Sequence, residues 1–195
     1  YTNKIIDLNF ANAVFVDCSA SKNVVEFYEK LLKKSISIVT PNKIANTLSQ
    51  EKYIRSRELA KQSNARFMYE TNVGAGLPII DTLKHLIASG DKVNKIQAVL
   101  SGSLNFIFNN FSETYSFHDV VKEAGVQGFT EPDPKIDLSG IDVARKILIL
   151  IRESGYQMEI EDIENKSFLP AECLNTKDNE SFFASLIKNA SHFDN

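Results

Sequence analysis

Apolar positions recur along this chain in two periods, and the switches between them outline its elements. Ala13-Val14-Phe15-Val16 is a short apolar run ending in Asp17-Cys18-Ser19-Ala20-Ser21, which predicts a buried strand entering a small polar turn. Val24, Phe27, Tyr28, Leu31 and Leu32 then fall at helical spacing, predicting one helix with Asn23 and Glu26 as a capping box. Ser35 to Thr40 predicts a second strand, followed by Pro41-Asn42-Lys43. Strand, helix and strand within about thirty residues predict a βαβ unit with parallel strands and a right-handed crossover. Ligands of such sheets bind beyond the carboxyl ends of the strands. Those ends carry Ser19 and Ser21 on one strand and Thr40, Asn42 and Lys43 on the other, groups suited to a ribose, an amide or a phosphate.

Beyond Lys43 the pattern changes. A charged helix is expected over about Ser49 to Ser63, and a strand over Arg66 to Tyr69. Pro78 is placed to be the first residue of a helix reaching Ser89, with Gly90 as its cap. Val93 to Leu100 reads as a strand. Helices follow around Phe106 to Phe111, from Ser116 to Gly125, over Gly140 to Ser154 and near Phe182 to Ile187, with a strand near Met158 to Ile160. Gly128 to Pro134 holds too much proline for regular structure. The expected fold class is α/β. Residues 1–46 form the remnant of a doubly wound nucleotide-binding domain, and residues 47–195 a mixed-sheet α+β catalytic and dimerisation domain.

Composition narrows the function classes. The 195 residues are 43% hydrophobic and 24% charged, an ordinary globular balance. A net charge of -3 with dispersed Lys and Arg gives no basis for general binding to nucleic acid or a membrane surface. Cys18 and Cys173 form neither a disulfide framework nor a metal-ligand spacing, so a reducing cytoplasm is the default. No run approaches the roughly 20 apolar residues of a membrane span. The first residues lack the pattern of a signal peptide and read as the middle of a domain.

The candidate chemistry centres on Asp142 and Lys146, four apart on the apolar helix and so on one face. On spacing alone two plain readings lead: a surface ion pair worth roughly 0.3–0.5 kcal/mol, or a capping pair of Ser139 with Asp142. Against them, the helix is apolar nearly all round, so its charged face is expected in a cleft, and a proline-rigid loop carrying Glu131 immediately precedes it. An amine held near carboxylates in such a place can serve as an acid or base. Taken singly, Glu131 reads better as a solvated loop acid, and Lys43 equally well as a solvated lysine. The glycines of Val73-Gly74-Ala75-Gly76-Leu77 are not a dinucleotide fingerprint; they form a structural turn by default, and their carbonyls could hold a cation. His85, His118 and His192 are given no role, and Cys18 is read as a small packing residue.

Taken together, Val16-Asp17-Cys18-Ser19-Ala20-Ser21, Thr40-Pro41-Asn42-Lys43, Tyr69-Glu70-Thr71-Asn72-Val73-Gly74-Ala75-Gly76-Leu77-Pro78, Leu100-Ser101-Gly102-Ser103 and Gly128-Phe129-Thr130-Glu131-Pro132-Asp133-Pro134 through Asp142-Val143-Ala144-Arg145-Lys146 resemble homoserine dehydrogenases. The likeness is closest to the form fused behind an aspartokinase and covers about residues 13 to 165. It implies NAD- or NADP-dependent interconversion of L-homoserine and L-aspartate 4-semialdehyde, a step towards threonine, methionine and isoleucine. It further implies that Lys146 is the proton donor, that Glu131 and Asp142 hold the substrate, and that Lys43 lies between cofactor and substrate. Ser19 and Gly128 become cofactor contacts. Glu70, Val73, Ala75 and Leu77 become a site for a monovalent cation such as sodium, built largely from backbone oxygens. A homodimer or higher homo-oligomer is expected.

Two departures stand out. The opening strand with its glycine-rich phosphate loop and the closing part of the nucleotide domain are absent, so these 195 residues alone are expected to be inactive or nearly so. Ile136 stands where relatives usually carry an acid. Two rivals remain. A catalytically silent assembly domain of a kinase-dehydrogenase fusion would need none of Glu131, Asp142 and Lys146. A dehydrogenase acting on a related semialdehyde by acylation would need a catalytic thiolate, for which no cysteine here is suited.

Overall fold

The computed structural model describes residues 2–8 and 10–193. It divides into two compact units, one of residues 1–96 and 145–163, the other of 97–144 and 164–195.

The first unit is built on a parallel sheet. Strands β1 (Val14–Val16), β2 (Ser37–Val39) and β3 (Phe67–Met68) lie in that order. Phe15 stands opposite Ile38, and Ile38 opposite Phe67. Helices α1 (Thr2–Leu8), α2 (Lys22–Val25), α3 (Tyr28–Lys33) and α4 (Gln50–Gln62) belong to the same unit. Leu31, Leu32 and Ile38 are fully buried beside Val25, Tyr28 and Leu59, each full burial of a large apolar side chain contributing about 1.5–3 kcal/mol.

The single helix expected at Asn23 to Leu32 is therefore two. The Phe27 amide reaches back only three residues, to the Val24 carbonyl at 3.1 Å. The turn tightens there beside two adjacent β-branched valines, which fit a regular helix poorly. The capping box does not form, because Ser21 rather than Asn23 holds the N-cap position.

Helix α5 (Ile79–Ala88) starts one residue after Pro78 and closes as expected. Gly90, at φ +90°, lets its own amide reach the Ile87 carbonyl and that of Asp91 the Leu86 carbonyl. Two expected strands are absent. Val93 to Leu100 takes no regular structure, since a strand needs a neighbour for its backbone groups and the only sheet among the described residues is the three-stranded one. At Met158 to Ile160, Arg152 takes the Met158 carbonyl, and Ile160–Asp162 coils into a 3-10 turn capped by Glu159. The mixed sheet expected after residue 46 is thus not formed among these residues. Instead β3 extends the parallel sheet, and the α/β, partial nucleotide-domain character stands.

The second unit is helical: α6 (Gly102–Asn110), α7 (Phe117–Val126), α8 (Pro134–Leu138), α10 (Ala171–Leu174), α11 (Asn179–Lys188) and α12 (Ala190–Phe193). Ser101, Ser116 and Asp178 cap α6, α7 and α11 with their side-chain oxygens. Ile107, Val121, Leu138, Cys173 and Phe182 are fully buried in its core. Helix α9 (Ile141–Glu153) follows α8, and its residues from Arg145 onward belong to the first unit. Ser139 is the C-cap of α8, not the N-cap of α9; Gly140 at φ +76° separates the two helices. Among the described residues no helix is long and apolar enough to cross a membrane.

Candidate active site

At the carboxyl ends of β1 and β2 the turns are fixed by a buried carboxylate. Asp17 accepts from the Ser19 amide at 2.8 Å, the Tyr28 hydroxyl at 2.5 Å and the Asn42 side-chain amide at 3.2 Å. Thr40 donates its hydroxyl to the Asp17 carbonyl at 2.9 Å and accepts the Asn42 amide at 2.9 Å. Burial pushes the Asp17 carboxyl up, yet hydrogen bonds from Ser19, Tyr28 and Asn42 outweigh it and leave it below its ordinary value. The same pairing, with burial as the larger cause, pushes the Tyr28 hydroxyl well up. Residues chosen for local order thus place a half-buried Ser19 and, directly after Asn42, Lys43 as the first residue before the 3-10 turn Ile44–Thr47. A hydroxyl and an ammonium at neighbouring strand ends are groups chemically suited to a dinucleotide. Cys18 is exposed, so the packing role expected of it is not realised.

The glycine turn of the same unit is held by Glu70. Its two oxygens accept from the Ile80 and Asp81 amides at 2.8 and 2.9 Å, capping α5 from ten residues upstream. Gly74 and Ala75 both lie at positive φ, and a Cβ on Gly74 would come within 2.4 Å of Ile79. The Leu77 carbonyl accepts the Ile79 amide at 2.9 Å. Glu70 therefore keeps only part of its acceptor capacity for a cation, and Val73 is buried while Ala75 and Leu77 are exposed. Among the described residues no cluster of His, Cys, Asp or Glu could hold a metal ion.

In the second unit Gly128, at φ +76°, ends α7, and the Phe129 amide returns to the Ala124 carbonyl at 2.8 Å. Phe129 stacks on Phe106 with centroids 4.3 Å apart. The exposed Glu131 is positioned through its backbone: its amide donates to Asp137 at 2.8 Å, and Ser103 donates to the other oxygen of that carboxylate at 2.9 Å. Asp137 was not singled out from the sequence. Its signal is three residues back at Pro134, which opens α8 and turns the Asp137 carboxylate towards both donors. Asn179 donates to the Pro132 carbonyl at 2.7 Å, fixing the far side of the loop.

Asp142 lies in the first turn of α9 and Lys146 one turn later, both half-buried. Ser19, Lys43, Lys146 and the Glu70 to Leu77 turn fall in the first unit, and Gly128, Glu131 and Asp142 in the second.

Two family models match the chain: homoserine dehydrogenase over residues 78–193, and the NAD-binding domain of homoserine dehydrogenase over residues 2–70. A chloroplastic bifunctional aspartokinase/homoserine dehydrogenase 2 of Zea mays is 50% identical over 161 residues, 83% of this chain and 18% of that protein. This chain thus spans about a fifth of the length of such relatives. A Candida auris protein of unknown function has a solved structure that superposes with a TM-score of 0.88 at 34% identity, over 98% of this chain and 55% of that one. A hyperthermophilic archaeal homoserine dehydrogenase in complex with NADPH superposes with a TM-score of 0.69 at 32% identity, over 85% of this chain and 52% of that one. The two family models cover residues 2–70 and 78–193 and run in the order of the fold described above, and on that evidence the chain belongs to the homoserine dehydrogenase family.

Proposed function

We propose that the protein containing this chain interconverts L-homoserine and L-aspartate 4-semialdehyde with NAD or NADP. The observation that carries the reading is the placing of Asp142 and Lys146 one turn apart on α9, in a chain of this family. When bound, the nicotinamide cofactor supplies or accepts the hydride. As the aldehyde carbon is reduced, its oxygen gains alkoxide character, and an ammonium within hydrogen-bond reach stabilises and protonates it. Lys146 is that acid, and the base in the reverse direction. Asp142 and Glu131 bind the substrate ammonium, a match of opposite charges that fixes the reacting carbon. Lys43 and Ser19, at adjacent strand ends, and Gly128 contact the cofactor.

Glu70, Val73, Ala75 and Leu77 are proposed to hold a monovalent cation through backbone oxygens and one carboxylate. The two left-handed residues of that turn, Gly74 and Ala75, support this reading. We also assign residues 1–46 to the nucleotide domain and 47–195 to the catalytic domain, a homo-oligomeric state, and the cytoplasm, where the two free cysteines would remain reduced.

The test is homoserine oxidation by the full-length protein, followed by NAD(P)H absorbance, for wild type and Lys146→Ala. A large fall in turnover with folding intact supports Lys146 as the proton carrier. Unchanged turnover overturns that role, and an inactive wild type favours the silent assembly domain.

A further inference from the structure

The two last residues of α9 form a cluster that the proposed chemistry does not use. Glu153, only 9% exposed, accepts the Tyr53 and Tyr69 hydroxyls at 2.8 Å each and the Arg57 guanidinium at 2.7 Å, with the Lys84 ammonium 3.7 Å away. Burial raises its pKa, but Arg57 and Lys84 with the two tyrosines more than reverse this, and it stays an anion. Removing one partner of such a buried ion pair leaves an uncompensated charge and is strongly destabilising. Its neighbour Arg152 has a side chain with no exposed surface. It donates to the Asn46 and Leu48 carbonyls at 3.0 and 2.7 Å, and to Glu159 at 2.9 Å.

These contacts lead to the strand ends. Asn46 and Leu48 close the 3-10 turn that opens at Lys43. Arg57 also donates to the Asn46 side-chain oxygen at 3.2 Å, Asn46 to Asn72 at 2.9 Å, and Asn72 to the Thr40 carbonyl at 3.1 Å. An unbroken hydrogen-bonded chain therefore joins the end of α9 to the end of β2, on both sides of Lys43. Lys146 precedes Glu153 by seven residues, two helical turns, so the two sit on one stripe of α9 within about 20° and roughly 10 Å apart along the axis.

We propose that Arg152 and Glu153 are positioning residues that fix the helix bearing Lys146 against the turn bearing Lys43. The inference rests on the reading of Lys146 as proton carrier. Scaffolding alone does not require two buried charges, since well-packed apolar residues of similar volume often serve as well.

The experiment is a double-mutant cycle in the full-length protein, with homoserine oxidation measured for wild type, Glu153→Gln, Lys146→Ala and the double variant. If Glu153 acts through Lys146, Glu153→Gln lowers kcat at least tenfold with KM changed less than twofold. In the Lys146→Ala background the same change then has no further effect on residual turnover. Equal, additive losses in both backgrounds, or a loss confined to KM, overturn the proposal. Should Glu153→Gln fail to fold, Tyr53→Phe removes one hydrogen bond, keeps the ring under Arg57 and is read through the same cycle, with a smaller drop in kcat. Full activity of Lys146→Ala itself would instead strike at the proposed function, so the two failures are told apart.

Discussion

Glu131 is anchored to Asp137 by its backbone, not its side chain: the amide donates at 2.8 Å while the carboxylate of Glu131 stays exposed. Asp137→Ala removes this bond together with the one from Ser103. We expect a stability loss of about 1.5–3 kcal/mol from losing hydrogen bonds to a charged group and a rise in KM for homoserine larger than any change in kcat. Denaturant unfolding and steady-state kinetics measure both. An unchanged KM would mean that the prolines and Asn179 hold the loop unaided.

Acid titration of stability isolates Asp17. Its folded pKa lies below the ordinary carboxylate value, so the stabilisation is complete above the unfolded pKa of about 3.9 and is lost as pH falls through the lower folded value. Asp17→Asn is expected to lower Tm near neutral pH and to flatten the acid limb of Tm against pH below about pH 4. Tyr28→Phe, which removes a hydrogen bond to a charged group, should cost roughly 1.5–3 kcal/mol. A wild-type acid limb that persists in Asp17→Asn would assign it to other carboxylates.

Two glycines at similar φ separate backbone strain from crowding. Gly90 at +90° has open space around an added Cβ, whereas Gly140 at +76° would bring one within 2.6 Å of Asn165 Oδ1. Gly90→Ala is expected to cost about 1–2 kcal/mol. Gly140→Ala should cost more, because Asn165 must also release the Ser139 carbonyl it holds at 2.9 Å. Equal losses in chemical denaturation would show that Asn165 gives way freely.

The cysteines report on the strand-end turn. Cys18 is exposed, and Cys173 is buried with the Ser185 hydroxyl on its sulfur at 3.2 Å. A thiol reagent should modify one cysteine rapidly and the second only on unfolding. Added NAD(P)+ should slow the modification of Cys18 in the full-length protein if the Ser19 turn holds the cofactor. Equal rates with and without cofactor would count against that contact.

Much of this was legible in the sequence wherever local physics decides. The caps at Ser116 and Gly90 follow from short-range chemistry, and the parallel relation of β1 to β2 follows from the strand-helix-strand order between them. Val93 to Leu100 has the residues of a strand, but pairing is a long-range property that no window of sequence contains. Arg152 and Glu153 are not singled out by any local pattern in the sequence. Their partners, Asn46 and Tyr53, lie about a hundred positions away.

Helix α9 also limits how this sequence can change in length. One residue inserted between Lys146 and Arg152 would rotate one end against the other by about 100° and shift it by about 1.5 Å, separating the lysine from the cluster that sets its bearing. A residue added in the irregular stretch 94–99 meets no such repeat. Natural insertions and deletions should therefore collect in that stretch and leave the count from Lys146 to Glu153 untouched.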